Sequence, residues 1–356
     1  MKKKIKKELW IKWGAVFLVI VLIFVLVLLD RVEKIKYKDL EITFRNQIDQ
    51  QKEFVPKDFS TEVKEITKAD AKKAIELYEK ISNQIFGKDV HRVMAYNYYV
   101  QERYEETISE VRKVLSIATE SKDSSWAYNN WGAALLNLGR HDEAMEKFQK
   151  AVKIDPKYGG AYSNWGVALV KLGRNEEATG KFEKAVEIDP KYVKYGDAYS
   201  NWGAALVNQG RHEEAIEKFQ KAAEINTKDA EVYYNWGVAL LNLGRNEEAI
   251  EMSRKATEIN PKFAEAYSNW GAALGNLDRY EEAIEKFKKA VEINPKYVKA
   301  YYNLACAYSR LNNRNETRKN LKKAIELDPK WKEKAKTDKN FDNLRNDPEF
   351  KKLISD

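Results

Sequence analysis

The sequence predicts an all-α protein: an α-solenoid of stacked helix-turn-helix repeats, preceded by a single transmembrane helix. Two observations carry this prediction. The phrase Asn-Trp-Gly occurs five times, first at Asn130, at intervals of 34 residues, or 37 in one case. Near the N-terminus, sixteen consecutive residues from Gly14 to Leu29 carry no polar side chain. A fixed period of this length is typical of proteins in which each repeat buries its apolar face against its neighbours.

These patterns divide the chain into consecutive segments. They are a basic flank at 1–12, a transmembrane anchor at 13–30, a stalk and linker at 31–66, a degenerate N-terminal helical repeat region at 67–124, six repeats at 125–331 with an insertion near 193–196, and C-terminal capping helices at 332–356. The outermost repeats of a stack are expected to drift in sequence, because one side of each faces water.

The predicted anchor follows a flank that carries six lysines and one glutamate. Sixteen helical residues span about 24 Å, less than the ~30 Å hydrocarbon core of a bilayer, so Trp10, Trp13 and the flanking lysines are expected to contribute at the interface. A cleaved signal peptide is the competing interpretation, but the exit at 27–31 lacks the small-x-small cleavage pattern. The lysine excess predicts a cytoplasmic N-terminus, with the repeats periplasmic or otherwise extracytoplasmic.

The spacing within each copy predicts two helices that pack together. We count positions from Ser125, which is position 1 of the first copy. Positions 4, 7, 8 and 11 share one face of a first helix, and positions 20, 24 and 27 share one face of a second. Glycine at position 8 costs roughly 1 kcal/mol of helix propensity, which is tolerable if the second helix must approach closely. In the first copy these residues are Tyr128, Trp131, Gly132, Leu135, Ala144, Phe148 and Ala151, and Pro156 ends the second helix.

This code resembles that of the tetratricopeptide repeat family. The chain departs from the family in placing its tryptophan at position 7 instead of 4, and Ser253 replaces the aromatic residue at position 24 of the fourth copy. We interpret the aromatic residues as core, so no cofactor is predicted. If Trp165 is fully buried, Trp165→Ala should cost about 3–5 kcal/mol.

Composition disfavours several classes of function. Residues 1–12 contribute +5 of the formal net charge of +8, and the remaining +3 is dispersed, so no nucleic-acid partner is predicted. Three histidines and the single Cys306 do not suggest a metal site. The chain has no Gly-rich phosphate loop and no Cys/His or Ser/His/Asp candidate cluster, so we predict that it is not an enzyme.

Positions 2, 6, 9 and 13 lie opposite the predicted core face of the first helix, and the family resemblance implies that they line a concave groove. Amide side chains at regular intervals could donate to and accept from an extended peptide backbone. The alternative is that the position-6 asparagines bond locally to neighbouring groups, or reflect recent duplication. The candidate groove residues are Asn130, Asn164, Asn201, Asn235, Asn269 and Asn303 at position 6, and Asn137, Lys171, Asn208, Asn242, Asn276 and Arg310 at position 13.

The sequence therefore predicts a membrane-anchored scaffold that binds a protein or an extended peptide in this groove. An assembly or maturation factor for a membrane-associated complex, or a coat formed by self-association, are the alternatives. A mitochondrial import receptor shares the order of anchor and repeats, and would place the repeats in the cytosol. A clamp for a C-terminal carboxylate is disfavoured, because position 5 is Ser or Tyr in most copies and position 9 is Ala or Val.

Overall fold

A computed structural model describes residues 87–118, 120–188 and 197–355. The chain divides into two compact units, Met1–Tyr192 and Val193–Asp356. The predicted flank, anchor, stalk and insertion near 193–196 lie outside the described residues. Within the described ranges, no helix is both long enough and apolar enough to cross a membrane.

Unit 1 is a series of helices in which each packs against the next. Residues of the predicted degenerate region form the first two of them. The helices are α1 Lys88–Val100, α2 Tyr104–Ile117, α3 Ser121–Asn137, α4 His141–Ile154, α5 Gly159–Lys171 and α6 Asn175–Ile188.

Unit 2 continues the same pattern of helix pairs and ends in three short helical elements. Its helices are α7 Asp197–Asn208, α8 His212–Ile225, α9 Ala230–Asn242, α10 Asn246–Ile259, α11 Ala264–Asn276, α12 Tyr280–Ile293, α13 Val298–Arg310, α14 Arg314–Leu327, α15 Lys330–Thr337, a 3-10 helix Lys339–Leu344 and α16 Pro348–Ile354.

The turn inside each pair requires a left-handed residue. Gly139 has a φ of +73°, its amide donates to the Leu136 carbonyl, and the Arg140 amide donates to the Leu135 carbonyl. This pair of hydrogen bonds is the Schellman motif, which satisfies carbonyls at a helix C-terminus. Where a copy lacks glycine, a short polar residue adopts the same conformation: Asp278 has a φ of +57° and Asn312 of +56°.

The glycine at position 8 sets how closely the two helices of a repeat approach. A methyl group at Gly132 would lie 2.5 Å from Cε1 of Phe148, and one at Gly203 would lie 2.6 Å from Cε1 of Phe219. Both phenylalanines are fully buried. The first helix therefore packs its backbone directly against the aromatic ring at position 24.

Two copies alter this contact, the fourth at position 24 and the sixth at both positions. In the fourth copy, Ser253 takes the place of the ring, and a methyl group at Gly237 would meet its Oγ at an ordinary 3.4 Å. In the sixth copy, Ala305 faces the buried Leu321 in the same cluster, so a larger residue at position 8 accompanies a smaller one at position 24. The size of the residue at position 24 thus decides whether glycine is needed at position 8.

The tryptophans at position 7 are half-buried instead of fully buried, which corrects the expectation for Trp165. Its indole stacks on Tyr162, with 6.4 Å between ring centroids, and the Lys181 ammonium lies 4.0 Å from its centroid. The third copy repeats this arrangement with Tyr199, Trp202 and a lysine at 4.5 Å. A lysine side chain thus covers one face of each indole ring, and the ring is only half-buried. Trp165→Ala should therefore lower the free energy of unfolding by less than the ~3–5 kcal/mol of a fully buried site.

The C-terminal elements cover the last helix pair of unit 2. Phe341, Leu344 and Phe350 are fully buried in one cluster with Tyr302 of α13. The Arg345 guanidinium donates to three backbone carbonyls at the end of α15 and just beyond it, at 2.5–2.8 Å. These contacts satisfy the end of α15 and hold the 3-10 helix against the stack.

We predict opposite effects for two alanine substitutions in unit 2. Gly203→Ala should lower the free energy of unfolding, because overpacking against Phe219 costs about 1–3 kcal/mol and exceeds the gain in helix propensity. Gly237→Ala should raise it, by up to about 1 kcal/mol, because the methyl group meets only ordinary contacts. Urea unfolding of the two variants compares them, and shifts of the same sign in both would contradict this role of position 8.

Candidate functional site

The candidate binding surface comprises the side chains at positions 2, 5, 6, 9 and 13 of the first helices. We call it the first-helix face. The first helices are α3 and α5 in unit 1, and α7, α9, α11 and α13 in unit 2. Position 9 forms its small apolar floor: Ala133 is buried, whereas Val167, Ala204, Val238, Ala272 and Cys306 are half-buried.

Position 5 contacts the residue at position 34, which immediately precedes the next first helix in the first and fourth copies and lies in α15 in the sixth. The amide of Asn129 lies 3.2 Å from the Tyr158 hydroxyl. In the fourth copy the rings of Tyr234 and Phe263 lie 5.0 Å apart, and in the sixth the rings of Tyr302 and Trp331 lie 4.4 Å apart. This recurring contact places position 5 at the joint between consecutive first helices.

In unit 1, the asparagines at position 6 use their amides internally. The Asn130 side chain is fully buried and donates to the Trp126 carbonyl at 2.9 Å. The Asn164 side chain is 6% exposed and donates to Oδ1 of Asn129, one repeat earlier, at 3.0 Å. These two residues match the alternative interpretation, a bond to neighbouring groups, and do not present amides at the surface.

In unit 2, the asparagines at position 6 differ. Asn201, Asn235 and Asn303 are half-buried, and within the described part of the chain their side chains make no hydrogen bond. Asn269 is 4% exposed, and its side-chain amide interacts with the phenol of Tyr234, one repeat earlier. The three half-buried amides can therefore donate to and accept from a bound group.

Position 13 is exposed in all six copies. Three of its side chains reach an earlier helix: Asn137 donates to the Tyr99 hydroxyl at 2.8 Å, Asn276 to Oδ1 of Asn246 at 2.9 Å, and Arg310 to the Tyr280 hydroxyl at 2.9 Å. Lys171, Asn208 and Asn242 have no such bond among the described residues. Asn208 and Asn242 therefore extend the unpaired amides of unit 2 toward the edge of the face.

The sequence reasoning missed a polar cluster around α11. Burial raises the pKa of Tyr234, and the nearby Glu265 carboxylate raises it further, whereas a hydrogen bond with the Asn269 side chain lowers it. Burial, with Tyr234 and Glu265, raises the pKa of Tyr297 to about 12, whereas a hydrogen bond with the Ser268 hydroxyl opposes this shift. These interactions place one carboxylate, two phenols, a hydroxyl and an amide together. In the sequence, Glu265 at position 2 and Tyr297 at position 34 could have indicated this cluster. Neither position is part of the predicted asparagine series.

No group of histidine, cysteine and carboxylate side chains in the described ranges could hold a metal ion. Nδ1 of His141 and Nδ1 of His212 are buried without a hydrogen-bond partner, at the start of α4 and α8 respectively. Burial raises the pKa of the Cys306 thiol above its ordinary value, with Asp338 adding to the shift, so the thiol stays protonated at neutral pH. The described residues thus supply amide, hydroxyl and carboxylate chemistry.

Comparisons with known families agree with this geometry. Models described as tetratricopeptide repeat or TPR repeat match residues 125–158, 159–192, 203–244 and 230–263. The chain therefore carries tetratricopeptide repeats, within an all-α repeat fold of the solenoid class. A model of the family Regulator of microtubule dynamics protein 1-3 matches residues 277–348, which include the last helix pair and part of the C-terminal elements. No curated protein matches the chain.

Solved structures share the fold. PilF of Pseudomonas aeruginosa superposes with a TM-score of 0.53 at 18% identity, over 64% of this chain and 98% of its own. A chain of the Cut9–Hcn1 hetero-tetramer of the APC/C gives a TM-score of 0.52 at 17% identity, over 80% of this chain and 59% of its own. YrrB, a TPR protein with an unusual peptide-binding site, gives 0.43 at 28% identity, over 52% of this chain and 94% of its own. The first two similarities show the fold alone.

Proposed function

We propose that this chain is a membrane-anchored scaffold that binds an extended peptide segment of a partner protein along the first-helix face of unit 2. The observation that carries the proposal is that the half-buried position-6 asparagines of α7, α9 and α13, which are Asn201, Asn235 and Asn303, make no hydrogen bond to another described residue. They lie at the same position of their helices, on the same face as the apolar floor at position 9. A peptide main chain offers donors and acceptors at regular intervals, and can satisfy such a series.

Unit 1 supports the proposal by contrast. The same residue type at the same position is there buried and bonded within the protein, as Asn130 and Asn164 show. In unit 2, Asn201, Asn235 and Asn303 make no such bond to another described residue. The proposed groove is therefore narrower than the predicted one, and consists of Asn201, Asn235 and Asn303 with Asn208 and Asn242 at its edge.

The anchor is the second part of the proposal. It rests on the sixteen apolar residues that follow the lysine-rich flank, and on the absence of a signal-peptide cleavage pattern after them. In the proposed orientation the N-terminus is cytoplasmic and the repeats are extracytoplasmic. The scaffold would then concentrate its partner at the membrane surface.

The groove can be tested with a library of random-sequence labelled peptides and the full chain in detergent. Replacing Asn201, Asn235 and Asn303 together by Ala should weaken peptide binding at least tenfold, because each net hydrogen bond contributes about 1 kcal/mol. N-methylation of the peptide backbone should weaken binding to the unmodified chain in the same way, because it removes main-chain donors.

The matched control replaces three exposed second-helix residues of unit 2, Glu217, Glu251 and Glu285, by Gln. This variant should bind the selected peptides as the unmodified chain does. If the asparagine variant keeps its circular dichroism spectrum and binds with undiminished affinity, the groove proposal is wrong.

The anchor is tested by alkaline carbonate extraction of membranes. The full chain should stay in the pellet, because a spanning helix resists extraction, whereas a chain that lacks residues 1–30 should be released. Mass spectrometry of the membrane-bound chain should find residues 1–30 still attached. Release of the full chain by carbonate, or loss of those residues, would contradict the anchor.

A further inference from the structure

The fourth repeat lacks the aromatic ring that separates the two helices in most other repeats. Ser253 stands at position 24 of α10, where the first, second, third and fifth copies have phenylalanine. Gly237 is nevertheless kept at position 8 of α9. The sixth copy, by contrast, combines Leu321 at position 24 with the larger Ala305 at position 8. Among the six copies, only the fourth thus has a small residue at both positions.

No other side chain fills the place of the missing ring beside Gly237. In the first copy, three ring carbons lie 2.5–2.8 Å from the methyl group that an alanine at Gly132 would add. At the corresponding place in the fourth copy, the three nearest atoms are Oγ of Ser253 at 3.4 Å, the Ala249 carbonyl oxygen at 3.6 Å and Cβ of Met252 at 3.7 Å. A carbon atom therefore fits there at ordinary van der Waals distances.

The walls around this space have not changed to compensate. In the first copy, the buried residues that cluster with the Phe148 ring include leucine at position 11, alanine at position 20 and the position-10 alanine of the next copy. The fourth copy has the same residue types at these places, again almost fully buried: Leu240, Ala249 and Ala273. Because a smaller side chain in an unchanged core leaves a cavity, we expect an enclosed, mainly apolar cavity between α9 and α10.

Met252 narrows this cavity only in part. It replaces the lysine at position 23 that lies over the tryptophan ring in the first, second, third and fifth copies, and it is buried. Its Cβ is its nearest atom to the methyl position at Gly237, so the rest of its side chain lies no closer. Methionine is unbranched and uncharged, and such a side chain adapts readily to a guest molecule.

One polar group in this space has no partner. The Ser253 side chain is 1% exposed, and its Oγ makes no hydrogen bond within the described residues. An unsatisfied buried hydroxyl costs free energy, so a guest that bonds to it gains more than a guest that only fills the space. The hydroxyl can donate to such a guest or accept from it.

We propose that this cavity is a binding site for a small planar aromatic molecule that carries one hydrogen-bonding group, of the phenol class. The ring would replace the missing position-24 side chain against Gly237, and the hydroxyl would bond Oγ of Ser253. A water molecule could bond Ser253 but would leave the apolar part of the cavity unfilled. The site lies on the core side of α9, away from the first-helix face, so the inference goes beyond the proposed function and does not depend on it.

Fluorine NMR of 4-fluorophenol and fluorobenzene, with the full chain in detergent, tests the site. The unmodified chain should bind 4-fluorophenol saturably, and more tightly than fluorobenzene. Ser253→Phe restores the ring, so it should abolish saturable binding of both probes and raise the midpoint of urea unfolding. Ser253→Ala keeps the space but removes the hydroxyl, so it should weaken 4-fluorophenol about fivefold without weakening fluorobenzene.

Ser121→Ala is the matched control, since it removes a hydroxyl from an exposed position of α3. It should leave the affinity for both probes unchanged. A lower unfolding midpoint for Ser253→Phe would show that the space is already filled, and would overturn the site. Equal binding of 4-fluorophenol to Ser253→Phe and to the unmodified chain, or no saturable binding to the unmodified chain, would overturn it as well.

Discussion

The contact between the backbone of a first helix and the aromatic ring of a second helix determines the packing of most repeats. At Gly132, Gly166, Gly203 and Gly271 a single added methyl group would lie 2.5–2.6 Å from a ring carbon. Protein interiors are close-packed and deform little, so this approach fixes the distance between the helices of each pair. Because that side of the first helix packs against the second helix, positions 2, 5, 6, 9 and 13 form its other side.

Consecutive repeats are joined by small residues and by polar contacts. Alanine at position 10 is almost fully buried in every copy, as at Ala134 and Ala239. The polar contacts at positions 5, 6 and 34 lie at the edge of the same joint. Unit 1 completes them, because Asn164 bonds Asn129 there. In unit 2 the neighbour of Asn269 one repeat earlier is Tyr234, whose phenol interacts with the Asn269 amide.

Much of the fold could be predicted from the sequence, because period and pattern report directly on packing. The close approach at position 8 and the left-handed turn residue both follow from glycine in a place where helix propensity disfavours it. The burial of the tryptophans could not be predicted in the same way. The face of Trp165 is covered by Lys181 from the next helix, and a pattern of apolar residues does not show where a lysine stem will lie.

The candidate site was predictable only in part. The position-6 asparagines could be placed on one face, but not divided into bonded and unbonded members. The neighbour one repeat away also differs between copies: Asn129 accepts from Asn164, whereas Tyr234 interacts with Asn269 at the corresponding place.

Binding of a partner polypeptide by the first-helix face of unit 2 can be examined in membranes of the source cell by site-specific photo-crosslinking. The photoreactive residue is placed at the exposed Asn242 and, as the reference position, at Glu285 on a second helix. We predict a discrete crosslinked polypeptide from Asn242 that is absent from Glu285. The same products from both positions, or none from Asn242, would contradict the proposed binding face.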